Sequence, residues 1–186
     1  KVDCGYGRAG VDPLGAEGLA LAQRLQDSPH VRFHGVLAHG GHSYDCVGRG
    51  ALLSVARQER DVTLAFAERL RAAGVEVADV STGSTPTCTV AEELPGGLAG
   101  VTEIRPGNYA YYDAFQATLG TCSYDDVAFS VLVTVIATYP QRGSALTDGG
   151  AIAFTKDPGA AHIPGERSTF GAVFDATLTR RLDLDL

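Results

Sequence analysis

Methionine is missing from all 186 residues, position 1 included, and lysine occurs only as Lys1 and Lys156. Since the first residues already read as the inside of a strand, the missing start predicts a piece of a longer chain. The other 13 basic residues are arginines, scattered and interleaved with acids in a chain of net charge −7. Nothing here supplies the basic stripe that a nucleic-acid backbone requires, so small molecules are the expected partners. Long apolar runs are also missing. The longest, Val127 to Ala137, is broken by Ser130 and Thr134 and falls short of the ~20 residues of a membrane helix. The first residues do not read as a secretory signal. Cys4, Cys46, Cys88 and Cys122 lie 34 to 42 residues apart with no CxxC pair, which indicates neither a zinc knuckle nor a disulfide framework. Free thiols in a reducing cytoplasm are the expectation.

What is present suffices for a globular core: 45% hydrophobic and 20% charged residues. Lys1-Val2-Asp3-Cys4 reads as a strand remnant that runs into Gly5-Tyr6-Gly7-Arg8-Ala9-Gly10. Pro13 then suits the first turn of a helix whose apolar face is Leu14, Leu19, Leu21, Ala22 and Leu25, with Pro29 beyond its end. Val31 to Ala38 is a predicted strand, closed by His39-Gly40-Gly41-His42-Ser43-Tyr44-Asp45. A long helix is predicted from about Ala51 to Ala73, with Leu52, Val55, Val62, Ala65, Phe66, Ala67 and Leu70 at helical spacing and Gly74 as its stop. Val75 to Val80 reads as the third strand, leading to Gly83-Ser84-Thr85. A short helix near Val90 to Leu94, the Pro95-Gly96-Gly97 breaker and a fourth strand, Val101 to Ile104, follow, ending at Pro106-Gly107-Asn108-Tyr109.

Four strand-helix repeats fit half of a (β/α)8 barrel, a fold that takes about 250 residues when complete. From Val127 the pattern turns to β-branched runs, Val131 to Thr138 and Ala145 to Thr147, with no helices between them. That marks a second domain of antiparallel β character. The expected division is residues 1–120 and 121–186.

Barrel chemistry sits at the C-terminal ends of the strands. Those ends carry Arg8; then His39, His42 and Tyr44; then Ser84, Thr85 and Thr87; then Asn108 and Tyr109. Arg8, between glycines, is either a solvated loop arginine or a planar fork for a phenolate or carboxylate. His39 is either structural or a ring to stack on a ligand. His42 reads as a turn residue, while Tyr44 offers a phenol to a heteroaromatic nitrogen. Gly83-Ser84-Thr85 and Gly107-Asn108 are each ordinary turn sequences. Together, on neighbouring strands, they form a grip for an anion made of hydroxyls and glycine-permitted amides, with no Walker lysine.

The segments KVDCGYGRAGVDP, GVLAHGGHSYDC, STGSTPT, TEIRPGNYAYYD and TDGGAIAFTKDPG resemble the fold-type III pyridoxal-phosphate enzymes. The resemblance is to the eukaryotic-type D-serine dehydratases and their bacterial relatives, which include D-threonine aldolases and D-threo-3-hydroxyaspartate dehydratases. It implies the C-terminal half of an alanine-racemase-like barrel followed by part of a β domain. It further implies Arg8 at the phenolic oxygen of pyridoxal 5'-phosphate, His39 packed by its ring, Tyr44 near the pyridine nitrogen, and Thr85, Gly107 and Asn108 on the phosphate. The implied reaction is dehydration of a D-β-hydroxy amino acid, D-serine or D-threo-3-hydroxyaspartate, to a keto acid and ammonia, with zinc assisting departure of the hydroxyl and a homodimer as the complete form.

Two features of the pattern have no counterpart here. The Schiff-base lysine belongs on the first barrel strand, whereas Lys1 opens the Arg8 strand at its wrong end and Lys156 lies in the β domain. It is expected upstream of Lys1. The metal-binding histidine, with its cysteine or aspartate, is expected beyond Leu186. The segment alone is therefore expected to be inactive. Three alternatives stay open: D-threonine aldolase, a non-catalytic pyridoxal-phosphate carrier, and an unrelated phosphosugar-binding barrel.

Overall fold

The computed structural model describes residues 1–150, 152–166, 169–175, 177 and 181–183, and the chain forms two units, Lys1–Tyr109 and Ala110–Leu186. In the first unit, β1 (Gly35–Leu37), β2 (Asp79–Thr82) and β3 (Glu103–Ile104) form a parallel sheet in that order. The Lys1–Cys4 segment lies along the free side of β1, its Val2 amide donating to the Leu37 carbonyl at 2.8 Å. Each pair is joined through helix: α1 (Ala16–Gln26) ahead of β1, α2 (Arg49–Ala72) between β1 and β2, and the short α3 (Thr85–Thr89) between β2 and β3. Because the strands are parallel, the segments that follow all three emerge on one edge of the sheet.

The core lies between α1, α2 and the strands. Val2, Ala22, Val36, Phe66, Ala67, Leu70, Val75, Val77 and Val80 are buried together. A second cluster packs the first half of α2 (Leu52, Ala56) against Cys46, Val90 and Leu94. One buried stripe of α2 serves both, running Leu52, Ala56, Glu59, Thr63, Phe66, Leu70 at the helical repeat. That stripe is rotated from the expected apolar face: Ala65 is exposed, while Thr63 and Glu59 are buried.

The elements differ from expectation mostly at their ends. The strand expected over Val31–Ala38 pairs only at Gly35–Leu37, and the one expected over Val75–Val80 is registered later, at Asp79–Thr82. Val75 and Val77 are buried by packing without joining the ladder. Helix α1 begins after Gly15, so Pro13 precedes the helix and does not occupy its first turn. There Asp12 accepts the Leu14 amide at 2.9 Å, and Leu14 and Leu21 face solvent. The helix expected near Val90 to Leu94 is a single 3-10 turn, Ala91–Glu93, and α3 at Thr85–Thr89 precedes it unannounced.

In the second unit, α4 (Ala114–Leu119) has its Asp113 N-cap accepting the Gln116 amide at 2.8 Å. Two antiparallel pairs follow, β4 (Val135–Tyr139) with β5 (Ser144–Thr147), and β6 (Ala172–Phe174) with β7 (Arg181–Asp183). No helix among the described residues is long and apolar enough to cross a membrane.

Leu70 is fully buried at the centre of the first core, so Leu70→Ala is expected to cost about 2–5 kcal/mol. Urea denaturation measures this directly, and a shift under 1 kcal/mol would mean the stripe is misplaced.

Candidate functional site

The common edge of the parallel sheet gathers the polar loops. His39 stands just beyond β1 and Thr85 just beyond β2, where Tyr109 of the loop after β3 donates its amide to Thr85 Oγ1 at 3.1 Å. Thr85 is buried, and its oxygen accepts that bond, leaving the hydroxyl hydrogen to be donated elsewhere. Gly107 and Asn108 precede Tyr109 in this loop, which makes a 3-10 turn over Asn108–Ala110. A Cβ on Gly107 would meet nothing within 4 Å, so the turn stands open there.

The loops after β1 and β2 are joined by side chains. His39 Nδ1–H donates to the Gly83 carbonyl over a long 3.4 Å. Ser43 and Ser84 hydroxyls meet at 3.0 Å, and Ser84 and Thr87 hydroxyls also at 3.0 Å. Ser84 caps α3: its oxygen accepts the Thr87 amide at 3.3 Å while Thr87 Oγ1 accepts the Ser84 amide at 2.8 Å. Beneath both loops lies Glu59, 1% exposed, whose Oε1 accepts the Gly40 amide at 2.6 Å and the Gly83 amide at 2.9 Å.

These bonds revise the anion grip read from sequence. The amides of Gly83, Ser84 and Thr87 all turn inward to Glu59 or to the capping hydroxyls. Thr85 Oγ1 is the one hydroxyl of Ser84, Thr85 and Thr87 that stays outside this network. Ser84 and Thr87 serve as a brace.

Tyr6 is the centre that sequence reasoning passed over. Its ring stacks on His42 (centroids 6.0 Å apart, planes at 25°) and meets His39 edge-on (6.3 Å, 70°). The Arg8 guanidinium lies 5.1 Å from its centroid, within cation–π range. Arg8, His39 and His42 thus converge on one phenol. His42 lies in a turn, as read from the sequence, and both its ring nitrogens are buried with no hydrogen-bond partner among the described residues. Tyr44 lies half-buried in the 3-10 turn Gly41–Asp45. A Cβ on Gly41 would fall 2.2 Å from the Tyr6 ring, so only glycine lets the ring seat. The Tyr6 loop is itself held by Asp3 Oδ1, which accepts the Gly5 amide at 2.9 Å and the Gly7 amide at 3.0 Å. Those bonds, Gly7 foremost, keep the Asp3 carboxyl below its ordinary value.

No cysteine is poised as a nucleophile. Burial is the main cause that raises all four thiols, and Cys88, which also feels Glu59, is pushed up to about 11. Among the described residues no three His, Cys, Asp or Glu side chains gather as a metal site. A cavity of about 220 Å³ lined by Gln26, Phe33, His34 and Glu76 lies by the segments that enter β1 and β2, away from this cluster.

The alanine racemase N-terminal domain model matches residues 1–114. D-serine dehydratase of Dictyostelium discoideum is 37% identical over 188 residues, covering 97% of this chain and 47% of that protein. D-threo-3-hydroxyaspartate dehydratase of Delftia sp. (strain HT23) is 40% identical over 153 residues, 82% of this chain and 38% of the relative. Its solved structure superposes with a TM-score of 0.85 over 97% of this chain and 46% of that one. D-threonine aldolase of an Arthrobacter species is 30% identical, covering 94% of this chain and 45% of its own. The chain spans less than half the length of each of these relatives.

Two outcomes follow from the geometry. Gly41→Ala should displace the Tyr6 ring and cost about 1–3 kcal/mol by overpacking, read from tyrosine fluorescence and the urea midpoint. Because the Asp3 carboxyl is depressed, its stabilisation is present above the ordinary value of 3.8 and is lost as pH falls below it. Asp3→Asn should remove that part of the acid transition, and an acid profile identical to wild type would show that the loop bonds contribute nothing.

Proposed function

The chain belongs to the alanine racemase N-terminal domain family, in the fold-type III group with the D-serine dehydratases, and from that premise we propose that it is part of a pyridoxal-phosphate-dependent lyase. The substrate is a D-β-hydroxy amino acid, D-serine or D-threo-3-hydroxyaspartate, lost as a keto acid and ammonia. The match to D-serine dehydratase along 97% of the chain supports this reading most strongly. In it, residues 1–120 are the C-terminal half of a (β/α)8 barrel and residues 121–186 part of an antiparallel β domain. That division places α4 with the barrel, which differs from the two compact units. The complete enzyme is a cytoplasmic homodimer.

The residues present fit the cofactor. The orphaned nitrogens of His42 mark a rim completed by a polar group. Thr85, Gly107 and Asn108 would hold the phosphate, with the spare hydroxyl hydrogen of Thr85 as one donor. Arg8 would reach the phenolic oxygen with the planar fork that suits it. His39, its Nδ1–H turned to Gly83, would pack by its ring, and Tyr44 would approach the pyridine nitrogen. When bound, pyridoxal phosphate supplies an electron sink for loss of the Cα proton. This segment's part would be to bind and orient: its strand-end loops would hold the ring and phosphate in place. The Schiff-base lysine is assigned upstream of Lys1. The metal-binding histidine and its partner, which the resemblance implies, are proposed to lie beyond Leu186, and no step is drawn through the metal.

The parent chain, incubated with D-serine, D-threonine and D-threo-3-hydroxyaspartate, is expected to release keto acid and ammonia from the first or third. Aldehyde and glycine from D-threonine would make it an aldolase. Cofactor uptake with all three substrates inert would make it a carrier. Thr85→Val is expected to weaken cofactor binding about tenfold, equal to ~1.4 kcal/mol for one lost hydrogen bond.

A further inference from the structure

We propose that Glu59 is a positioning residue for this site: its carboxyl group locks together the two strand-end loops that hold ring and phosphate, and withholds the Gly83 amide from the anion. The inference rests on the pyridoxal-phosphate reading above. Glu59 sits mid-way along α2 on the stripe otherwise given to Leu52, Ala56, Thr63, Phe66 and Leu70. A carboxyl group in such a place costs more than an apolar side chain would, because it is stripped of water. Among the described residues no Lys or Arg pairs with it. Its partners are two backbone amides, from Gly40 after β1 and Gly83 after β2, which share one oxygen.

The placement of those amides gives the group its role. Gly40 follows His39, the ring assigned to pack on the cofactor, and Gly83 precedes Ser84-Thr85, assigned to the phosphate. The carbonyl of Gly83 takes the His39 Nδ1–H, so the residue whose amide Glu59 anchors also sets the tautomer of His39. Gly83 holds φ at +112° with its missing Cβ only 2.7 Å from Cys88 Sγ, a conformation that needs glycine. A Cβ on Gly40 would lie 3.1 Å from the Glu59 carboxyl. The loops are thus built closely around this one side chain. With the Gly83 amide committed inward, the anion is left to Thr85 and the Gly107-Asn108 turn.

The test uses the parent chain, comparing Glu59→Gln, Glu59→Asp, Glu59→Ala and Leu70→Ala for cofactor affinity, visible circular dichroism of the bound cofactor, and kcat and KM. Gln keeps an oxygen able to accept both amides, and its Kd should stay within about threefold of wild type. Ala removes the acceptor and should raise Kd at least tenfold and alter the dichroism. Asp retracts the carboxyl by one methylene and should raise Kd at least threefold, which carries the test if the Ala variant does not fold. Leu70 lies 11 residues along the same helix, about 16 Å away. Its truncation should lower stability and leave Kd and dichroism unchanged. The proposal is overturned if Ala, or Asp where Ala does not fold, binds cofactor like wild type, if Gln is as impaired as Ala, or if Leu70→Ala shifts Kd as much as the Glu59 variants. A wild-type parent chain that takes up no pyridoxal phosphate overturns the reading of the site together with the proposal, a result distinct from equal uptake by wild type and variants.

Discussion

The shared acceptor oxygen of Glu59 is the point on which the geometry of the strand-end rim turns. Two parallel strands fix where their loops begin, but a ladder exerts no hold on the residues beyond its last hydrogen bond. Past Leu37 and Thr82 the chain must find other partners for its buried amides, since each one left without a partner costs about 1–3 kcal/mol. A single carboxyl oxygen from α2 meets one amide from each loop, at 2.6 and 2.9 Å. The hydroxyl relay Ser43–Ser84–Thr87 and the His39–Gly83 bond then join the loops at a second level. The helix that packs the sheet is therefore also the element that shapes its chemical edge.

A comparable economy holds at the first loop. Asp3 bends the chain around Gly5 and Gly7, which presents Tyr6 to His39, His42 and Arg8. Two of the residues assigned to the cofactor, Arg8 and His39, thus keep their places through a phenol between them. Asp3 and Glu59 both direct their carboxylates at backbone amides. Both are structural members of the rim, which otherwise gathers hydroxyl, imidazole and guanidinium groups.

Much of this was legible in the sequence because the long elements are strongly periodic. The α2 pattern from Leu52 to Leu70, the strand after α1 and the polar loops after each strand were placed to within a few residues. The strand lengths were not, because pairing depends on a neighbour: Val31 to Phe33 are bulky enough to suggest a strand yet join no ladder, and the pairing begins only where the His34 carbonyl accepts the Ala78 and Asp79 amides. Thr85 read as a loop residue although the signal for a helix start was there, Ser84 at the cap, Pro86 in the first turn and Thr87 three residues on. Tyr6 was hidden by its glycines, which draw attention to the backbone. Glu59 had a visible signature: a helical wheel through Leu52, Ala56, Thr63, Phe66 and Leu70 places a carboxyl on the buried stripe, and such a group has to have a polar partner.

Native-state hydrogen exchange at the Gly40 and Gly83 amides probes the central claim most directly. If one buried carboxyl oxygen holds both, these two loop amides exchange only through global unfolding, with the protection of the core amides of Val36 and Val80. Exchange of either one at the rate of an open loop would contradict the account.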